Sequence, residues 1–105
     1  MTRRYQKLVR DRTPEIIEMQ GNRCVVRRLD QEEYLKMVDA KLDEELAEYH
    51  KDQNLEELAD LMEVIYAAAE ARGHTREQLE TVRAEKEAER GAFRKRLLLL
   101  EVQER

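Results

Sequence analysis

The chain has a single cysteine, Cys24, so no disulfide can form within it. It has no tryptophan, only five aromatic residues, one proline and three glycines. No Pro-, Gly- or Ser-rich tract marks a linker, so the 105 residues are expected to form one domain or one part of an oligomer. No stretch resembles a signal peptide or is apolar for long enough to span a bilayer, which points to a reducing cytoplasm and away from the membrane. A basic field is also missing: the net charge is −4 with acids and bases interspersed, which argues against duplex nucleic acid as a partner.

What is abundant is charge, at 42% of residues, a composition suited to helices with wide solvated faces and a core completed by a second subunit. Two acidic stretches organise the rest. Glu45 and Glu48 lie in Lys-Leu-Asp-Glu-Glu-Leu-Ala-Glu, and after a polar break Glu57 and Asp60 lie in Leu-Glu-Glu-Leu-Ala-Asp. A helix turns about 100° per residue, so residues three apart project from one side and can close on one object.

The apolar neighbours say where those sides face. In the first helix Tyr34, Leu35, Val38, Leu42, Leu46 and Tyr49 make a stripe that includes Glu45 and has Glu48 at its edge, while Asp43 and Glu44 point away. In the second, Leu55, Leu58, Leu61, Met62, Ile65 and Ala69 make the stripe, Glu57 falls between Leu61 and Val64, and Asp60 lies further round.

Carboxylates set into apolar stripes are costly. Two at ~4 Å repel by roughly 4 kcal/mol at an effective dielectric of about 20, against a net stability of about 5–15 kcal/mol for a whole domain. They need a cation or must take up protons. Oxygen ligands alone select a hard divalent ion, Mg²⁺ first and Mn²⁺ second. No histidine or thiol accompanies them, which argues against zinc, and His50 and His74 each follow an alanine three positions earlier, which removes the Glu-x-x-His signature of di-iron bundles. The competing account is that these acids are solvated surface or salt-bridge partners in an acid-rich chain.

The order Glu-Glu-Leu-x-Glu, short linker, Glu-Glu-Leu-Ala-Asp-Leu resembles the all-α nucleotide pyrophosphohydrolases, the superfamily of MazG-like enzymes and phosphoribosyl-ATP pyrophosphohydrolase. Their hallmark is an E-x-x-E helix followed by an E-x-x-D helix. Lys7-Leu8-Val9-Arg10-Asp11-Arg12-Thr13-Pro14-Glu15-Ile16-Ile17 is similar to the opening motif of one MazG-like subgroup, and Lys86-x-x-x-Arg90-Gly91-x-Phe93 to its closing motif. Ala92 stands where that closing motif has a second glycine, which weakens a close backbone approach to phosphate.

The resemblance implies a mainly α helical hairpin or bundle that cleaves a nucleoside triphosphate between its α and β phosphates, in the service of clearing non-standard nucleotides. By the same token Glu45, Glu48, Glu57 and Asp60 would hold Mg²⁺; Glu48, at the edge of its stripe, is the candidate to take a proton from the attacking water, and a core completed by a second subunit is expected to give a homodimer or homotetramer. Lys7, Arg10, Lys41, Lys86 and Arg90 would meet the substrate's phosphates. Each has a plainer account: a charged terminal arm for Lys7 and Arg10, an i, i+4 ion pair with Glu45 for Lys41, and helix-end surface charge for Lys86 and Arg90. Rival functions are phosphoribosyl-ATP hydrolysis in histidine synthesis and a non-catalytic helical oligomer.

Local signals set the expected elements. Thr13 as N-cap and Pro14 as first helical residue open a short helix over 14–20, which Gly21 stops. Residues 22–29 look like a strand, in which Cys24 is a small buried hydrophobe without chemistry. Asp30 with Glu33 opens a helix over 31–51, Asn54 one over 55–72 and Thr75 one over 76–90. The Leu97–Leu100 run is expected to be a second strand pairing with 24–29 in a small two-stranded element. Tyr5, Tyr34, Tyr49, Tyr66 and Phe93 are core candidates before they are stacking platforms for a base.

Overall fold

The computed structural model describes residues 1–104. It has four helices: α1 (Thr13–Met19), α2 (Gln31–Asp52), α3 (Leu55–Ala71) and α4 (Arg76–Arg90). Three are capped by the residues the sequence offers. The Asp30 carboxylate accepts the Glu33 N–H at 2.8 Å, Asn54 Oδ1 accepts the Glu57 N–H at 2.9 Å, and Thr75 with Gln78 forms a reciprocal capping box. The start of α1 differs from expectation: Arg12 occupies the N-cap position without a side-chain cap, and Thr13 is already helical.

α2 and α3 form an antiparallel hairpin. Gln53 adopts a left-handed conformation (φ 50) and donates its N–H to Tyr49 O at 2.7 Å, which ends α2 one residue later than expected and leaves a two-residue connection. At the far end Arg72 Nη2 lies 3.5 Å from Asp39 Oδ2 and the Gln31 side chain donates to Ala71 O at 2.9 Å. α3 then closes with a Schellman arrangement around Gly73 (φ 86), in which the His74 N–H reaches Ala69 O and the Gly73 N–H reaches Glu70 O. α4 packs on α3, held by Arg76, which pairs with Glu63 at 3.0 Å and Glu70 at 3.4 Å and lies over the Tyr66 ring.

Among the described residues there is no strand, so the expected two-stranded element is not formed. Residues 22–29 and 97–102 each run without regular structure and lie open to solvent, apart from partly covered Cys24 and Leu29. An isolated pair of strands is at best marginal in water, Val25 and Val26 are adjacent and so cannot share a face, and leucine carries no strong preference for strands.

The core is thin. Val38, on α2, is the one fully buried side chain among the described residues. Leu46, Leu58, Met62 and Ile65, expected in buried stripes, stay about half open, and Leu55, Tyr5 and Phe93 are well exposed. The radius of gyration is 18.5 Å, against about 13 Å for a compact domain of this length. The molecule extends 66 × 31 × 22 Å. Among the described residues no helix is long and apolar enough to cross a membrane.

Candidate metal centre

The hairpin brings the two carboxylate pairs together. Glu45 from α2 and Glu57 and Asp60 from α3 each offer an oxygen within 4.8 Å of the others, and all three are partly buried. The two-residue connection fixes this, because it holds the end of α2 beside the start of α3 and so sets one pair opposite the other. Glu48 does not join that triplet. It groups with Asp52 and Glu57, again within 4.8 Å, so Glu57 is shared by the two sets and Glu48 and Asp52 stand on the exposed side.

Asp52 is a residue that sequence reasoning missed. The polar stretch Asp52-Gln53-Asn54 reads as a break between helices, whereas α2 continues through Asp52. The available signal was its position one helical turn beyond Glu48.

Electrostatics across the hairpin are asymmetric. Lys41 Nζ lies 3.4 Å from Glu45 and 3.2 Å from Glu44, with the Lys41 and Glu45 side chains only 15% and 13% exposed. Arg10 reaches across from the chain's first segment to place Nη2 2.7 Å from Asp60 Oδ1, and Lys7 lies 3.9 Å from Glu44. Glu44, expected to face solvent, is therefore half-covered and shared between two lysines.

Among the described residues Glu57 has no basic partner. Burial, followed by the charges of Asp52, Asp60, Glu48 and Glu45, pushes its carboxyl above the usual range. Asn54 followed three residues later by Glu57 also fits a capping box, which would turn the Glu57 carboxylate back onto its own helix start. Asn54 supplies the cap, and the reciprocal bond from the Glu57 carboxylate that would complete a capping box is not made among the described residues.

Of the expected substrate contacts, Lys7, Arg10 and Lys41 thus lie beside the acids. Lys86 and Arg90 sit exposed on α4, which packs against α3 alone, and neither forms an ion pair among the described residues. The set is chemically suited to a hard cation: carboxylate oxygens from two helices converge within reach of one ion, and one of them, on Glu57, has no basic partner among the described residues. Exposed acids often converge without binding a metal, and the ion pairs at Glu45 and Asp60 are what such a surface would also display.

No family model matches the chain and no solved structure matches it. An uncharacterized protein of Mycolicibacterium smegmatis is 55% identical over 42 residues, which is 40% of this chain and 43% of that protein. The chain thus spans less than half of the relative it matches.

Proposed function

We propose that this chain is a MazG-like, Mg²⁺-dependent nucleotide pyrophosphohydrolase that cleaves a nucleoside triphosphate, of a non-canonical kind, into the monophosphate and pyrophosphate. The observation that carries the reading is the convergence of Glu45, Glu57 and Asp60 within 4.8 Å across the hairpin. It is joined by the order of the acidic motifs and the similarity of the opening and closing segments to one subgroup.

Glu45, Glu57 and Asp60 would hold the first ion, and Glu48 with Asp52 would extend the set outward. The ion supplies charge neutralisation at the phosphoryl oxygens and a more acidic bound water. Glu48, on the exposed side of the cluster, would be the proton acceptor for the attacking water. Lys7 and Arg10, which neighbour the acids on the first segment, are positioned to turn toward the substrate's phosphates, Arg10 through paired donors. Lys41, 3.4 Å from Glu45, would orient its carboxylate. Mn²⁺ satisfies the same ligand set.

The second reading, a non-catalytic helical oligomer, draws on the ion pairs Arg10–Asp60 and Lys41–Glu45, which make the acids part of the hairpin's own fastening. Phosphoribosyl-ATP hydrolysis is the rival within enzymes. Pyrophosphate release measured with Mg²⁺ over a nucleotide panel that includes phosphoribosyl-ATP separates all three. Glu45→Gln and Asp60→Asn abolish turnover with helicity intact, and Glu56→Gln changes it little. Equal turnover in all three variants defeats the assignment.

A further inference from the structure

The first segment of the chain is fastened to the hairpin by charge. Residues 1–10 run without regular structure, and α1, which follows them, packs against no other helix among the described residues. Leu8 is half-covered, and the rest of residues 1–10 stand open to solvent. Among the described residues two polar links join this segment to the helices: Arg10 Nη2 donates to Asp60 Oδ1 at 2.7 Å, and Lys7 Nζ lies 3.9 Å from Glu44 Oε1. Arg10 is 60% and Lys7 47% exposed, so water and dissolved ions compete freely for both links.

The stronger of the two links ends on a residue of the candidate metal centre. Asp60 shares one triplet with Glu45 and Glu57, and Glu57 shares the other with Glu48 and Asp52. Two bases pair with these acids, and they differ in kind. Lys41 is rooted in α2 with its side chain 15% exposed, so it stays beside Glu45, whereas Arg10 sits on an irregular segment and can leave Asp60. We propose that residues 1–12 are a cation-released strap: Arg10 serves as the counter-ion of Asp60 in the ion-free state, and uptake of a divalent ion by Glu45, Glu57 and Asp60 detaches it, freeing Lys7 and Arg10 for the phosphates of a nucleotide.

Linkage gives the sign of the effect. Two cations that draw on the same carboxylates weaken one another, and by the same factor in each direction. With a divalent ion on the cluster, Arg10 is held by two fewer negative charges and shares the Asp60 carboxylate with a stronger competitor for its oxygens. Glu57, without a basic partner among the described residues, stays open to the ion throughout, so the strap weakens uptake without blocking it. A nucleotide that arrives with the ion offers Arg10 a replacement for the contact it gives up, because a guanidinium grips phosphate oxygens through two donors. The phosphate-binding charge is thereby withheld until the ion is in place. This inference rests on the proposed role of Glu45, Glu57 and Asp60 as metal ligands.

The test uses the full chain without nucleotide, at constant ionic strength, since salt alone also loosens an exposed pair. Mn²⁺ binding is followed by the paramagnetic resonance signal of the free ion. Arg10→Gln is expected to bind Mn²⁺ about two- to fivefold more tightly than the unmodified chain, with unchanged helical circular dichroism, and Glu56→Gln to bind it equally. A nitroxide on Gln6→Cys in a Cys24→Ser background reports the strap directly. Added Mg²⁺ increases the label's motion, and with Arg10→Gln the label is mobile before Mg²⁺ is added. If the unmodified chain binds Mn²⁺ but Arg10→Gln binds it equally or more weakly, Arg10 does not oppose the ion, and the inference falls while the metal site stands. A label indifferent to Mg²⁺ in a chain that binds Mn²⁺ overturns it likewise. A chain that binds neither ion removes the metal site itself, and the strap's release with it.

Discussion

If Glu45, Glu57 and Asp60 close on a divalent ion, adding that ion must stabilise the folded chain, because an unfolded chain does not hold the three oxygens within 4.8 Å. At a free Mg²⁺ concentration a hundred times its Kd the gain is about 2.7 kcal/mol. For a domain of this size, at about 4–8 °C per kcal/mol, Tm rises by roughly 10–20 °C. Asp60→Asn removes one ligand of three, and a tenfold loss of affinity takes about 1.4 kcal/mol, half of the response, away.

The same substitution also breaks the Arg10 pair. That pair is largely solvent-exposed, 60% on the arginine and 43% on the aspartate, and so is worth about 0–1 kcal/mol. Arg10→Gln separates the two effects: it reproduces the small drop in Tm without Mg²⁺ and keeps the full Mg²⁺ response. The assay is thermal unfolding followed by circular dichroism at fixed protein concentration, with and without Mg²⁺, with Glu56→Gln as control. A wild-type Tm indifferent to Mg²⁺, or a full response in Asp60→Asn, refutes the reasoning.

Three further outcomes are expected. The Glu57 carboxyl is raised, by burial first and then by Asp52, Asp60, Glu48 and Glu45. The folded state therefore binds this proton more tightly than the unfolded state, and the stability it contributes below the unfolded pKa is lost as pH rises through the folded value. Glu57→Gln should raise the ion-free Tm at neutral pH, with the gain fading toward about pH 4, while weakening the Mg²⁺ response. Val38→Ala, at the one fully buried side chain among the described residues, should cost about 1–3 kcal/mol in urea unfolding without altering helix content. Thr75→Ala removes the capping box of α4 and should cost about 0.5–2 kcal/mol, with loss of protection at the Gln78 amide in hydrogen exchange.

The helices were legible because their signals are local. Asp30, Asn54 and Thr75 announce helix starts through side chains that reach only three residues along, and Gly73 and Gly91 stop helices by accepting a positive φ. The convergence of Glu45, Glu57 and Asp60 was legible because helical periodicity places each and a short connection forces the hairpin. What depends on distant partners was not. The leucine run and residues 22–29 were assigned to one sheet from composition, yet pairing depends on where the chain carries them. Leu46, Leu58, Met62 and Ile65 carry the right pattern for burial, but one copy has too few elements to cover them. Asp52 was overlooked because a polar residue at a helix end is usually a break.

The two-residue connection through Gln53 and Asn54 has a genetic consequence. A single inserted codon there would lengthen the connection and release the constraint that sets Glu57 and Asp60 opposite Glu45. Homologues that keep the chemistry should therefore hold the spacing from Glu45 to Asp60 constant, while length changes accumulate before α2 and beyond α4.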